Sequence, residues 1–110
     1  MKKIYFEEFL TSSILNKEKT TTWRIWDKER LKKENIKEGD IVTFFVADAD
    51  IEFTKAKIIS IKNTKFKHLT KEDKEIYAND EEMYELFSKF YNIPINEETN
   101  LIIFSFELVD

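Results

Sequence analysis

The stretch Lys19-Thr20-Thr21-Thr22-Trp23-Arg24 indicates an extended segment around which the rest of the chain is organised. Three consecutive β-branched threonines favour a strand, because their side chains fit a pleated backbone better than a helix. Side chains alternate along a strand, so Thr20, Thr22 and Arg24 share one face and the residues between them share the other. The second face is predicted to be a core face. The first face is polar, and Lys19 stands at its start.

This polar face has the groups needed to hold a phosphate, a base or an acyl group. Trp26 follows on the same side as Arg24, so that an indole joins the hydroxyls, the guanidinium and the ammonium of Lys19. An alternative reading remains open at this point. The threonines would then be ordinary strand residues, and Arg24 would pair with one of the many carboxylates.

The length and composition of the chain limit the classes of protein to which it can belong. A length of 110 residues is suited to a single domain, and we expect one domain over residues 1–110. The sequence has no cysteine, which excludes disulfides and thiol nucleophiles. No apolar run approaches the roughly 20 residues of a membrane span, and the first residues lack a signal-peptide pattern. We therefore expect a cytoplasmic protein that does not enter a membrane.

Charge is distributed unevenly along the chain. The net charge of −4 argues against a strongly basic surface that coats nucleic acid without specificity. Residues 16–37 and 52–74 are nevertheless rich in lysine and arginine, whereas residues 75–110 contain Lys89 as their only base. A basic middle can attract an anionic ligand, although the same charges also keep a protein soluble. The acidic last third supports a further hypothesis, that of a protein-interaction domain.

Hydrophobic periodicity predicts a mixture of helices and strands. The predicted elements are a helix over residues 5–15, the threonine strand over 20–25, a loop over 27–37, strands over 41–46 and 51–61, a basic connector over 63–68, helices over 70–77 and 79–91, and a strand over 100–109. The 41–46 strand is apolar at nearly every position, so both of its faces are expected to be buried. A slip in alternation near Lys57-Ile58-Ile59 predicts a β-bulge. Met83, Leu86, Phe87, Phe90 and Tyr91 recur at helical spacing and are interpreted as core.

This order of elements predicts an α+β fold in which a small sheet curls into a partly open barrel with helices at its edges. Several segments, in the same order, resemble the ASCH family of the PUA-like superfamily. The resemblance covers Lys17-Glu18-Lys19-Thr20-Thr21-Thr22-Trp23-Arg24, the turn Glu38-Gly39-Asp40, the strand Ala56-Lys57-Ile58-Ile59-Ser60-Ile61, the stretch Phe66-Lys67-His68-Leu69-Thr70-Lys71-Glu72-Asp73, the helix from Tyr84 to Tyr91 and the strand from Ile102 to Phe106.

The resemblance implies a cleft beside the threonine strand that binds RNA or a nucleotide. On this reading, the ligand-binding residues are Lys17, Thr20, Arg24, Trp26, Lys65, Lys67 and His68. The lysines of this set and Arg24 would bind a phosphate group of the ligand, and Trp26 or Tyr77 would stack on a base.

Some members of the family are amidohydrolases that remove the acetyl group of N4-acetylcytidine with a Lys, a Thr and a Glu. The Lys and the Thr correspond to Lys19 and Thr22, where the lysine would take the proton of the threonine nucleophile. The Glu position holds Tyr77 instead, so the acid would be Tyr77 or Glu75. Because this third residue differs, the amidohydrolase reading ranks second to the binding reading.

The sequence gives no support for a metal centre or another cofactor. His68 is the only histidine and cysteine is absent, so the usual nitrogen and sulfur ligands are missing. A Ser-His-Asp type of triad would depend on the same single histidine. We therefore expect neither a metal nor a cofactor.

Overall fold

A computed structural model describes residues 2–74 and 77–109. Within them lie the strands β1 (Lys3–Phe6), β2 (Thr21–Arg24), β3 (Ile41–Val46), β4 (Ile51–Lys65) and β5 (Asn100–Leu108), and the helices α1 (Thr11–Leu15), α2 (Lys28–Glu34) and α3 (Asp80–Tyr91). Short 3₁₀ turns occupy Glu8–Leu10 and Phe66–His68.

The strands form one mixed sheet in the order β1-β3-β4-β5-β2. β1 runs parallel to β3, and the other neighbouring strands pair in antiparallel fashion. The register of β4 against β5 shifts between Ile58 and Ser60, which confirms the predicted bulge. β2 and β1 are therefore the two edges of the sheet, four strand spacings apart.

The sheet curls into a half-barrel, which confirms the predicted α+β fold. A flat sheet would hold its edge strands about 19 Å apart, at about 4.8 Å per spacing. Instead, Nη2 of Arg24 in β2 donates a hydrogen bond of 2.7 Å to the backbone carbonyl of Tyr5 in β1. Nη1 donates to Oγ1 of Thr22 at 2.7 Å and to the carbonyl of Trp23 at 2.9 Å. Arg24 thus joins the two edges.

Apolar side chains pack on both faces of the sheet. The larger cluster lies inside the curl and includes Ile4, Phe6, Ile14, Trp26, Ile36, Val42, Phe44, Ala56, Ile58, Ile102, Phe104 and Phe106. The smaller cluster, on the other face, contains Phe66, Leu69, Met83, Leu101 and Ile103, with Trp23 and Phe87 packed against it. β5 supplies both clusters, because its successive residues point to opposite faces. β3 is likewise buried on both faces, as predicted, with Val42 to Phe45 inside.

The predicted helix over residues 5–15 is wrong in its first part. Residues 3–6 form β1, in which Ile4 and Phe6 are buried and Tyr5 between them is exposed. The helical spacing of Phe6, Phe9 and Leu10 arises by chance across the junction of a strand and a 3₁₀ turn. Phe9 is 79% exposed. Pairing with a distant strand, β3, outweighs the local pattern.

The loop predicted over residues 27–37 contains α2. The Asp27 side chain accepts a hydrogen bond from the backbone N–H of Arg30 at 2.7 Å, and Asn35 ends the helix in the left-handed conformation. These caps satisfy backbone groups that a helix leaves free at its ends, so a short polar helix forms without a strong apolar stripe.

Two further boundaries differ from prediction. β4 continues through Lys65, so the first half of the predicted basic connector is strand and the second half is the 3₁₀ turn at Phe66–His68. The described part of the helix predicted over residues 70–77 is a turn, in which Thr70 and Asp73 exchange side-chain-to-backbone hydrogen bonds. This exchange stabilises the turn itself, and no helix follows it within residues 71–74.

α3 agrees with the predicted helix, and Asn79 caps it by accepting from the Glu82 backbone N–H at 2.8 Å. Its apolar stripe is only partly core. Met83 is buried, but Leu86 is 53% exposed and Phe90 is 65% exposed, which corrects the interpretation of those two residues. Among the described residues, no helix combines the length and the apolar character that crossing a membrane requires.

Replacing Arg24 with alanine should lower the free energy of unfolding by about 2–4 kcal/mol. The substitution leaves the Tyr5 carbonyl and the Thr22 hydroxyl without the guanidinium donor, and it releases the two sheet edges. Urea denaturation measures the loss. Arg30→Ala is the control, since it removes an exposed pair with Glu34 and a cation–π contact with Trp26, each worth about 1 kcal/mol or less. Equal losses of unfolding free energy in the two variants would contradict the conclusion that Arg24 stabilises the fold by joining the two sheet edges.

Candidate functional site

A cleft of about 1360 Å³ opens beside β2. β1 and the 3₁₀ turn at Glu8–Leu10 contribute to one part of its lining, and the C-terminal half of α3 contributes to another. Its polar residues include Lys19, Thr20, Thr22 and Arg24. The cleft therefore lies where the ASCH resemblance predicts it, next to the threonine strand.

Lys19 and Arg24 form the cationic centre of the cleft. Both side chains are half-buried. Burial lowers the pKa of Lys19 below its usual range, and the nearby positive charge of Arg24 lowers it further. Burial also lowers the pKa of Arg24, Tyr91 on α3 acts in the opposite direction, and Arg30 adds a smaller lowering effect. Among residues 2–74 and 77–109, no carboxylate lies within 4.0 Å of either charged group.

Four half-buried aromatic residues, Trp23, Tyr77, Phe87 and Tyr91, form a group that we call the inner aromatic wall. Trp23 and Phe87 stack with ring centroids 5.7 Å apart and planes 16° apart. Phe87 and Tyr91 continue the stack at 6.4 Å and 13°. The Tyr77 ring packs at a tilted angle against the Trp23 ring, with the two ring centroids 5.7 Å apart. Flat aromatic surfaces of this kind are typical platforms for nucleobases.

Acidic residues also line the cleft and offset much of its positive charge. Glu34 pairs with Arg30, Asp73 accepts the Thr70 backbone N–H, and Glu82 accepts the backbone N–H of Ala78. The remaining acidic lining residues, Glu7, Glu18 and Glu72, are partly or fully exposed. Lys2, Lys3, Arg30 and Lys33 line the cleft as well, and of these Lys2 and Arg30 pair with Asp40 and Glu34. Lys19 and Arg24 differ from them in lying close enough together for the charge of Arg24 to lower the pKa of Lys19.

The structure brings together some predicted site residues and separates others. Lys19, Thr20, Thr22, Arg24, Trp26 and Tyr77 line the cleft. The lining does not include Lys17, Lys65, Lys67 or His68, all four of which the sequence assigned to the ligand. Lys65 and Lys67 instead pair with Glu98 at 3.3 and 2.8 Å. Glu75 lies outside the described residues.

Trp26 and Thr22 have structural roles in addition to any contact with a ligand. Trp26 is 7% exposed and packs edge-on against Phe104, 5.4 Å away. Thr22 is 1% exposed, and its hydroxyl accepts the Arg24 hydrogen bond. Burial raises the pKa of Tyr77, which makes that phenol a still weaker acid than usual.

The sequence interpretation missed Phe9, Phe90 and Tyr91 as cleft residues. Tyr91 and Phe90 continue the regular apolar stripe of α3, which looks the same whether it faces a core or a cleft. Phe9 follows β1, a strand that the sequence interpretation did not find. The described part of the chain contains no group of three His, Cys, Asp or Glu side chains that could hold a metal ion.

The half-barrel has an ASCH-type fold, as comparison with solved structures shows. An ASCH domain from Lactobacillus crispatus JV V101 superposes with a TM-score of 0.65 over 96% of this chain and 77% of that one, at 14% sequence identity. A protein of the family DUF984 from Enterococcus faecalis V583 gives 0.67 over 93% and 68% of the two chains, at 16% identity. The hypothetical protein PH0355 gives 0.67 over 97% of both chains, at 23% identity. The sequence matches no protein-family model and no curated protein.

Replacing Lys19 with methionine should stabilise the protein at pH 7 by about 0.5–2 kcal/mol, the usual gain when a residue that strains a site is replaced. A lowered pKa means that the unfolded chain holds this proton to higher pH than the folded protein does. Lys19 therefore costs stability below its folded pKa, and the cost fades as the pH rises through that value towards about 10.4.

Urea denaturation of Lys19→Met and wild type at pH 7 and at pH 10 measures this effect, and the difference should shrink at the higher pH. Lys17→Met is the matched control, because Lys17 is exposed and does not line the cleft. If Lys19→Met is instead less stable than wild type, the charged Lys19 side chain does not destabilise the folded protein.

Proposed function

We propose that the protein binds a nucleotide or a short single-stranded RNA in the cleft beside β2. The observation that carries this proposal is the cationic centre. Lys19 and Arg24 are close enough for one charge to lower the pKa of the other, and no carboxylate in the described residues neutralises them. Partly buried charges without a counterion are unfavourable, so a bound phosphate would recover free energy there.

The inner aromatic wall supports a nucleic-acid ligand over a simple anion. Tyr91 belongs to the wall and lies close enough to Arg24 for its charge to act on the pKa of that guanidinium. A phosphate on Lys19 or Arg24 would therefore bring an attached base close to the wall. Stacking on aromatic side chains and phosphate contacts with lysine or arginine are the two main contributions in single-strand binding.

The position of the basic residues argues against an extended RNA track. Lys65 and Lys67 share Glu98 away from the cleft, and Lys17 does not line it either. The proposed phosphate contacts are thus centred on Lys19 and Arg24 and do not include Lys17, Lys65 or Lys67. A ligand with few phosphates fits this distribution, and its affinity should depend only weakly on salt.

A second candidate function, amidohydrolysis of a modified nucleoside such as N4-acetylcytidine, is favoured by one observation. The lowered pKa of Lys19 makes its neutral form more accessible, as a general base requires. The Arg24 hydrogen bond to Thr22 would stabilise a developing alkoxide on that hydroxyl. Glu72 lines the cleft and is the carboxylic acid that we assign to the leaving amine in this scheme. The burial of Thr22 places this candidate second.

The binding proposal predicts that cytidine 5′-monophosphate binds more tightly than cytidine, and that Lys19→Met removes most of this preference. A charge-assisted hydrogen bond of about 1.5–3 kcal/mol corresponds to roughly tenfold or more in affinity. Isothermal titration calorimetry at two salt concentrations measures both ligands. Lys17→Met should behave as wild type. Equal affinity for the two ligands in wild type would overturn the proposed phosphate contact.

The hydrolase candidate predicts release of acetate from N4-acetylcytidine, with a rate that rises as Lys19 loses its proton. Thr22→Ser should retain part of the rate, whereas Thr22→Ala and Glu72→Gln should lose about 100-fold or more, the usual contribution of general acid–base catalysis. Circular dichroism of each variant excludes unfolding as the cause. Wild-type protein that releases no acetate between pH 6 and pH 10 would eliminate this candidate.

A further inference from the structure

Tyr91, the last residue of α3, lies beside the cationic centre of the cleft. It lines the cleft together with Lys19 and Arg24, and its side chain is half-buried. Its ring stacks on Phe87, with centroids 6.4 Å and planes 13° apart, and packs edge to face with Phe90 at 5.4 Å. Tyr91 also raises the pKa of Arg24 against the larger effect of burial, and two groups influence each other in this way only at short range.

The C-terminal end of α3 holds Tyr91 in this position. Asn92 ends the helix in the left-handed conformation, and the Ser88 hydroxyl donates a hydrogen bond of 2.7 Å to the backbone carbonyl of Ile93. Side chains of a helix tilt towards its N-terminus, so the Tyr91 ring lies against Phe87, one turn earlier. A ring that is already fixed by packing loses little conformational freedom when a ligand binds to it.

The other three tyrosines are placed differently. The Tyr5 hydroxyl donates to Asp50, which is outside the cleft lining, at 3.2 Å, and Tyr84 does not line the cleft. Tyr77 lines the cleft, but burial alone raises its pKa, without a contribution from any charged group. In the part of the chain that the structure describes, the Tyr91 hydroxyl forms no hydrogen bond, so it is available to a ligand.

From this arrangement we infer that the Tyr91 hydroxyl donates a hydrogen bond to the phosphate that Lys19 and Arg24 attract. A phenol hydroxyl carries one donor, and hydrogen bonds to an ionised oxygen are the stronger kind. The phosphate is then held by residues of two elements, the threonine strand and α3. The inference rests on the proposed function and adds a residue that distinguishes a nucleotide from a nucleoside. Because Tyr91 also belongs to the inner aromatic wall, it joins the phosphate contact to the base contact.

Isothermal titration calorimetry of Tyr91→Phe with cytidine 5′-monophosphate and with cytidine tests the inference, because this variant keeps the ring and removes only the hydroxyl. The affinity for the monophosphate should fall about tenfold, as expected for one lost hydrogen bond to a charged group, and the affinity for cytidine should not change. Tyr91→Leu removes the ring as well and should weaken the binding of both ligands.

Tyr84→Phe is the matched control, since it removes the same atom from the same helix outside the cleft lining, and it should bind both ligands as wild type does. Urea denaturation of Tyr91→Phe should give a stability close to that of wild type, which excludes misfolding as the cause. An unchanged affinity of Tyr91→Phe for the monophosphate, or an equal loss for both ligands, would overturn the role of Tyr91 alone. Wild-type protein that binds the monophosphate no more tightly than cytidine would overturn the proposed phosphate contact itself.

Discussion

The hydrogen bonds of Arg24 connect the fold to the cleft. The sheet has β1 and β2 at its opposite edges, and Arg24 holds them together by donating to the Tyr5 carbonyl while it remains bonded to Thr22 and Trp23 of its own strand. The guanidinium also lies over the ring of Phe6, with 4.9 Å between its central carbon and the ring centroid. Closing the curl in this way places a positive charge beside the cleft.

That charge determines the chemistry of its surroundings. It contributes, after burial, to the lowered pKa of Lys19, and it binds the hydroxyl of Thr22. The two neighbouring cations and the stacked aromatic wall are the features on which the proposed phosphate and base contacts rest. The partial burial of the Lys19 ammonium is unfavourable for the free protein, and such costs often mark functional sites.

Local sequence patterns predicted those elements that depend on nearby residues. The bulge in β4, the buried β3, the capped α3 and the closing strand β5 all follow from alternation, composition or capping chemistry. Lys19, Thr22 and Arg24 were singled out for the same reason, because they lie close together in the sequence. By contrast, β1 was missed, since its partner β3 lies almost 40 residues away and four residues carry little periodic signal.

The amino-acid sequence by itself determined the composition of the polar strand, the α+β class and the cationic residues available to a ligand. Only the tertiary structure decided which of these residues share a cleft. Curling of the sheet brings β1, β2 and α3 around one space, and it leaves Lys65 and Lys67 elsewhere, on Glu98. It also places four of the five residues of the α3 stripe, Leu86, Phe87, Phe90 and Tyr91, in the lining of the cleft. Helical periodicity identifies the apolar face of a helix but not what that face contacts. Tertiary packing therefore decides whether the face becomes core or cleft lining.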